Sequence, residues 1–236
     1  MIRGRLAAAC LALAGLAGCA SNGPYPQTQA AYHAPGGAYS FNLSSQALQG
    51  KLELTEQCEP YGGSLNIWDS KNRFFRIDYL NLIAHPVVRP PSFANDRTLN
   101  DMVLSYYLSD VLDKEKTILE RKVLFKDTVN SDVGEGLLAI VSMTMKPESL
   151  PKDALDNTIY YGFFVVRRGD FSYIVQHRQE VYQPERMKAM LVTLVTDMTI
   201  PGKGYEQRKV DGLGVVDQVF GSQTEIDAWK KAQNCI

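Results

Sequence analysis

Tyr160-Tyr161-Gly162-Phe163-Phe164-Val165-Val166 decides the fold of this chain. Seven residues rich in aromatic and β-branched side chains read as a strand, and they are apolar at both odd and even positions. Successive side chains of a strand point to opposite faces, so such a strand must be covered on both sides. It lies within Thr158–Arg167 and is followed by Arg168-Gly169-Asp170 and a second apolar run, Phe171–Glu180. A link of hairpin length makes the two strands antiparallel.

Working outward, Thr117–Lys126 and Leu137–Lys146 form an earlier strand pair, joined by a polar stretch that ends Gly134-Glu135-Gly136. Towards the N-terminus, Tyr39, Phe41 and Leu43 alternate with small polar residues, and Lys51–Gln57 alternates about Leu52 and Leu54. Pro60-Tyr61-Gly62-Gly63 marks a turn. Ser64–Asp69 and Arg73–Leu82 are two more β-patterned runs, and Asp69-Ser70-Lys71-Asn72 between them has turn composition. Two stretches have helical period instead. Leu99, Met102, Val103, Tyr106, Tyr107 and Val111 predict a helix over 97–115, with acids on the opposite side. Pro184 opens another over 184–198, with Met187, Met190, Leu191, Leu194, Val195 and Met198 as its apolar stripe. Residues 202–221 are Gly-rich, and Ser222-Gln223-Thr224-Glu225 is a capping-box pattern ahead of a short terminal helix. Strands, helix, strands, helix with hairpin links predict an α+β fold, an antiparallel sheet with helices packed on it.

That order of elements, from the 39–43 strand through the 97–115 helix and the 117–180 strand block to the 184–198 helix, resembles the PsbP-like fold. The same fold is seen in small bacterial envelope lipoproteins of the DcrB type. The resemblance covers about residues 39–200 as an order of elements, without a residue motif. It implies an α/β/α sandwich and names no catalytic residue.

The N-terminus has its own pattern. Arg3 and Arg5 precede an apolar run, Leu6–Leu16, of 11 residues, too short to span a bilayer, which takes about 20. Leu16-Ala17-Gly18-Cys19 then places a small residue directly before a cysteine. This resembles the lipobox of bacterial lipoproteins, which implies removal of residues 1–18 and lipidation of Cys19. An ordinary leader with an incidental cysteine is the alternative. Ala20 lacks the acidic character of an inner-membrane retention signal, so by analogy the chain is expected on the outer membrane, facing the periplasm. Residues 19–37, rich in Pro, Gly and Gln, read as lipidated N-terminus and flexible tether, and 38–236 as one globular domain. Cys58 and Cys235 would remain after Cys10 is removed and Cys19 acylated. In an oxidising compartment they are expected to form a disulfide, with two separate thiols as the alternative.

The chain has 25 basic and 26 acidic side chains. Losing Arg3 and Arg5 with the leader changes the net charge from −1 to −3, which gives nucleic acid no electrostatic footing. Chemistry is sparse. His33, His85 and His177 lie apart, without metal-ligand spacing. Gly63-Ser64 and Gly221-Ser222 lack the second glycine of a nucleophile elbow. Gly202-Lys203-Gly204 and Gly212-Leu213-Gly214 are incomplete phosphate-loop fragments. Asp110, Asp113, Glu115 and Glu120 read as solvated acids. No cofactor is expected.

The function expected is therefore that of a non-enzymatic, membrane-anchored module binding another envelope component, an envelope protein foremost. Its candidate contact surface is the proline-rich 84–96 loop with His85, Arg89, Pro90 and Pro91, together with Arg97. A carrier or sensor of a small apolar ligand, held between sheet and helix, is the second expectation. A hydrolase using His177 or His85 with nearby acids is the third.

Overall fold

The computed structural model describes residues 30–59, 62–82, 96–112, 117–149, 156–169 and 171–200, with positions 228 and 231. Its centre is the expected apolar hairpin. Strands β8 (Thr158–Arg168) and β9 (Phe171–Gln179) pair antiparallel, with Phe164 opposite Val175 and Arg168 opposite Phe171. Gly169 takes the turn at a φ of 59°, a left-handed conformation open to glycine.

On one flank, β7 (Gly134–Met145) pairs with β8, and β6 (Ile118–Ser131) with β7. On the other, β5 (Phe74–Asn81) pairs with β9, β4 (Gly62–Trp68) with β5, and β3 (Glu53–Glu59) with β4. The result is a seven-stranded antiparallel sheet in the order β3-β4-β5-β9-β8-β7-β6.

Alternation along these strands creates two cores. Phe75, Ile77, Leu138, Phe164, Val166, Tyr173 and Val175 face helix α2 (Pro184–Thr196), which supplies Met187, Leu191, Leu194 and Val195. Leu137, Val141, Phe163, Val165 and Ile174 face helix α1 (Asp96–Tyr106), which supplies Val103 and Leu104. The 160–166 run is apolar on both sides because a helix covers each. Each fully buried Leu or Phe contributes about 1.5–3 kcal/mol. The fold is α+β, an antiparallel sheet with helices packed on it, as the sequence predicts.

Several boundaries move. Residues 31–37 are not tether. Strand β1 (Ala31–His33) and a 3₁₀ turn at Pro35–Gly37 belong to the domain. β1 pairs with β2 (Ser40–Asn42), which pairs in turn with β10 (Met198–Thr199), forming a small sheet with Phe41 opposite both Tyr32 and Met198. Tyr32 is 1% exposed and donates to Glu56 Oε2 at 2.8 Å, while Tyr173 donates to the Ala38 carbonyl at 2.8 Å. A three-residue strand is too short to register as a period, and its Pro/Gly surroundings mask it. Met198 is buried as expected, but from β10, because α2 ends at Thr196.

The expected 97–115 helix also differs. α1 passes at Tyr107 into a wider turn of π-helical bonding, Tyr107–Leu112. The polar stretch expected to link the 117–126 and 137–146 strands is instead strand, because the hairpin extends to Ser131 opposite Gly134. Its polarity reflects position: β6 is the last strand of the sheet among the described residues, and Asp127 and Asn130 are exposed on it. The β6–β7 register shifts twice, between Ile118 and Glu120 and between Val123 and Phe125. Residues 202–221 and the capping box lie outside the described residues. Ala228 and Lys231, within the expected terminal helix, are helical and exposed.

Candidate functional site: a cationic cleft at the end of the sheet

The turn between β4 and β5 has the composition of a turn and the bonding of one. Asp69 Oδ1 accepts from the backbone N–H of Lys71 at 2.9 Å and of Arg73 at 3.1 Å, and Asn72 sits at a φ of 58°. Arg73 donates from Nε to Asp69 Oδ2 at 2.9 Å and from Nη2 to the Ala47 carbonyl at 3.0 Å. Burial pushes the Asp69 carboxyl up, but the Arg73 bonds outweigh it and hold it below the ordinary carboxylate range. The charge of Arg73 is thus spent within the turn.

Because β5 pairs with β9, this turn is brought beside the end of β9 and the start of α2, with Phe75 opposite His177. Between them opens a cleft of about 340 Å³ whose lining includes Lys71, Arg73, His177, Arg178, Gln179, Glu180, Val181 and Arg186. Arg178 turns its side chain to the other face of the sheet, 5.6 Å from the centre of the Trp68 ring, a cation–π distance. Arg186 Nη1 donates to Gln183 Oε1 at 3.2 Å.

His177 forms part of the wall and is 1% exposed. Nδ1 lies 3.0 Å from the Phe74 carbonyl, which only accepts, so Nδ1 carries the proton. Nε2 then accepts from Gln179 Nε2 at 3.2 Å, and the ring stacks on Phe75 at 4.4 Å between centroids. Burial pushes the imidazole pKa down to about 4. The Phe74 bond and Asp69 oppose that shift, while Arg73 and Arg186 add to it. Gln179 Oε1 is buried without a hydrogen-bond partner among the described residues.

A ring held neutral makes acid unfavourable to the fold. Above the unfolded value of about 6.5 both states are neutral and His177 is indifferent to pH. Between about 6.5 and 4 the unfolded chain takes up a proton that the folded one refuses, so stability falls as pH falls. Below about 4 both states are protonated and the penalty is constant, at about 3 kcal/mol. Urea unfolding of the parent and of His177→Gln at about pH 7 and pH 4.5 is the check: the variant should lose markedly less stability on acidification. Equal losses would show that the buried ring is not held neutral.

Across the sheet, on the α1 side, a second set of polar groups is closed rather than open. Arg76 Nε donates to Asp78 Oδ1 at 2.8 Å and Oδ2 at 2.9 Å. Gln176 Nε2 donates to Asp78 Oδ2 at 2.6 Å and to Tyr107 Oη at 2.7 Å. Burial lowers the Arg76 pKa, but Asp78 beside it more than compensates and holds the guanidinium above its ordinary value. Burial raises the Tyr107 phenol. This network ties the π-turn after α1 to the middle of the sheet.

The residues singled out in the sequence fare unequally. Cys19, His85, Arg89, Pro90, Pro91 and Cys235 lie outside the described residues. Arg97 is exposed in the first turn of α1, Cys58 is buried in β3, and His33 is an exposed residue of β1. Asp113 and Glu115 are not among the described residues, nor is the side chain of Asp110. No trio of His, Cys, Asp or Glu placed to hold a metal occurs among the described residues. Nor is any helix there long and apolar enough to cross a membrane.

The cleft itself was not legible. Lys71 and Arg186 are ordinary residues of a turn and a helix until β5 pairs with β9 across about a hundred positions of sequence.

No known protein family matches the chain, and neither does any curated protein. Among solved structures it is similar to the solution structure of cyanobacterial PsbP (CyanoP) from Synechocystis sp. PCC 6803. The identity is 8% and the TM-score 0.42, over 76% of this chain and 98% of that one.

Proposed function

We propose that this protein is a periplasm-facing lipoprotein, anchored through acylated Cys19 at the outer membrane, whose domain is a non-enzymatic binding module for another envelope component. The observation that carries the binding reading is the contrast between interior and surface. The cleft beside α2 is open, polar and cationic, whereas the packing beneath α2 is tight. A Cβ on Gly162 would lie 2.6 Å from Met187 Cγ and 2.7 Å from Leu191 Cδ1. That closeness counts against an apolar ligand held between sheet and helix, the carrier reading. The hydrolase reading draws no support from His177, whose ring nitrogens are engaged by a carbonyl and an amide.

The anchor reading rests on the leader and on Leu16-Ala17-Gly18-Cys19. Since β1 starts at Ala31, eleven residues (20–30) separate Cys19 from the fold, a reach of at most about 36–40 Å. Cys58, buried in β3, is proposed to bridge to Cys235 and tie down the C-terminus. In the chain-entropy account a loop of about 175 residues is worth roughly 4–5 kcal/mol, and measured bridges often give less. Intact-mass spectra with and without reductant and alkylation should find one bridge. Two freely alkylated thiols in the native, unreduced protein would exclude it.

The test of the function is mass spectrometry of the membrane-extracted protein, together with photocrosslinking in intact cells from probes at Arg97 and Val181. The expected result is an acylated Cys19 and one recurrent envelope adduct, lost when residues 84–96 are replaced by a neutral linker or when Lys71 and Arg186 are neutralised. An unacylated chain in the cytoplasm would end the reading.

A further inference from the structure

Resting on that anchored reading, we propose that the cleft between the β4–β5 turn and α2 receives the phosphate headgroup of a phospholipid. The domain then lies on the bilayer by the loop between β9 and α2.

Charge is the first argument. With Arg73 paired to Asp69, and the Arg178 side chain turned to Trp68 on the other face of the sheet, the cleft retains Lys71 and Arg186 against Glu180, two positive charges to one negative. The chain as a whole is slightly acidic, so this is a local concentration of positive charge. A headgroup phosphodiester carries one negative charge and accepts from guanidinium and ammonium donors. About 340 Å³ is room for a group of that size.

The rim supplies the second argument and separates a lipid from a free anion. Val181 and Tyr182 are consecutive, 65% and 43% exposed, and occupy the loop that borders the cleft between Arg178 and Arg186. Tyr182 packs on Tyr160 with ring centres 5.0 Å apart, which fixes its place beside the sheet. An apolar residue and a tyrosine beside Arg186 match the layering of a membrane interface, where acyl carbon, ring hydroxyl and phosphate follow within a few ångströms.

The wall adds a preference. The orphan acceptor Gln179 Oε1 requires a donor, and the neutral His177 beside it brings no added charge near pH 7. A headgroup bearing a hydroxyl or an ammonium next to its phosphate supplies that donor. The short span from Cys19 to β1 keeps the domain within reach of the surface where its acyl chains would lie.

The experiment uses residues 19–236 carrying Cys19→Ser, so that neither an acyl group nor the apolar leader contributes. It reads flotation with phosphatidylcholine vesicles with and without phosphatidylglycerol, and melting temperature with inorganic phosphate. The expected result is flotation only with phosphatidylglycerol. It should weaken by about tenfold or more in Lys71→Gln/Arg186→Gln and on raising salt. Val181→Ser should also weaken it while leaving the parent's melting temperature, which shows that the loop variant folds.

Undiminished flotation of the Lys71→Gln/Arg186→Gln variant overturns the proposal. So does a phosphate-dependent rise in melting temperature without vesicle binding, which would indicate a free anion. Absence of both effects overturns it too, and would leave the crosslinked protein partner as the occupant of the cleft. The anchoring reading is tested separately, by the mass of the wild-type N-terminus, so either can fail alone.

Discussion

Asp78→Ala is expected to lower the free energy of unfolding by about 3–5 kcal/mol, the range for removing one partner of a buried ion pair. The carboxylate receives Arg76 Nε on both oxygens, Arg76 Nη2 at 2.7 Å and Gln176 Nε2 at 2.6 Å. Its side chain is 8% exposed, and that of Arg76 is 14% exposed. Truncation leaves a guanidinium without its counter-charge and deprives Gln176 of an acceptor. Desolvation of the orphaned groups, more than loss of attraction, sets the size of the effect. The companion experiment is Arg76→Met/Asp78→Leu. With neither charge left to strand, it should lose much less than the sum of the single variants in a urea-unfolding cycle. Additive losses would mean that the pair is solvated.

Phe164→Ala is expected to cost about 3–5 kcal/mol, as large-to-small changes in a packed core do. Phe164 is fully buried in β8, between Leu138 of β7 and Val175 of β9, on the face covered by α2. Its ring occupies the space beside Gly136: a Cβ there would lie 2.2 Å from Cε1 and 2.4 Å from Cζ. The two positions share one volume, and a sign reversal follows. Gly136→Val in the parent should destabilise by about 1–3 kcal/mol through overpacking. In the Phe164→Ala background the same change should restore part of the loss, because it refills the void. Chemical unfolding of the four proteins gives the coupling directly. If Gly136→Val is equally harmful in both backgrounds, the ring is not what excludes a side chain from position 136.

These two sites show where sequence reading succeeds and where it stops. Phe164 was legible as core because a run apolar on both faces allows no other place than the middle of a covered sheet. Hairpins such as β8–β9 were legible because their links are short and their turn residues are local. The Arg76–Asp78–Gln176–Tyr107 network was not. Its members come from β5, β9 and the end of α1, and polar residues at 76 and 78 look like the outward positions of an ordinary strand. Polar residues facing inwards produce the same alternation as polar residues facing water. The cleft failed to show for a related reason, since its charges meet only through the β5–β9 pairing. β1 was lost to composition, because Tyr32 stands among residues typical of a linker.

The outer side of β6 has a consequence for how copies of this chain behave when crowded together. Fourteen residues of strand end the sheet without a described neighbour, and a free edge of that length offers its backbone groups to any extended segment that passes. Leu119 and Val123, 64% and 47% exposed, would reward such an encounter with buried apolar area. The two register shifts interrupt the straight run that another strand needs, and Glu120, Lys122, Lys126 and Asp127 impose a charge pattern that an arriving strand must match. Molecules confined to a surface meet far more often than molecules in solution. In a chain anchored as proposed above, the irregularities of β6 would keep neighbouring sheets from zipping into a continuous aggregate.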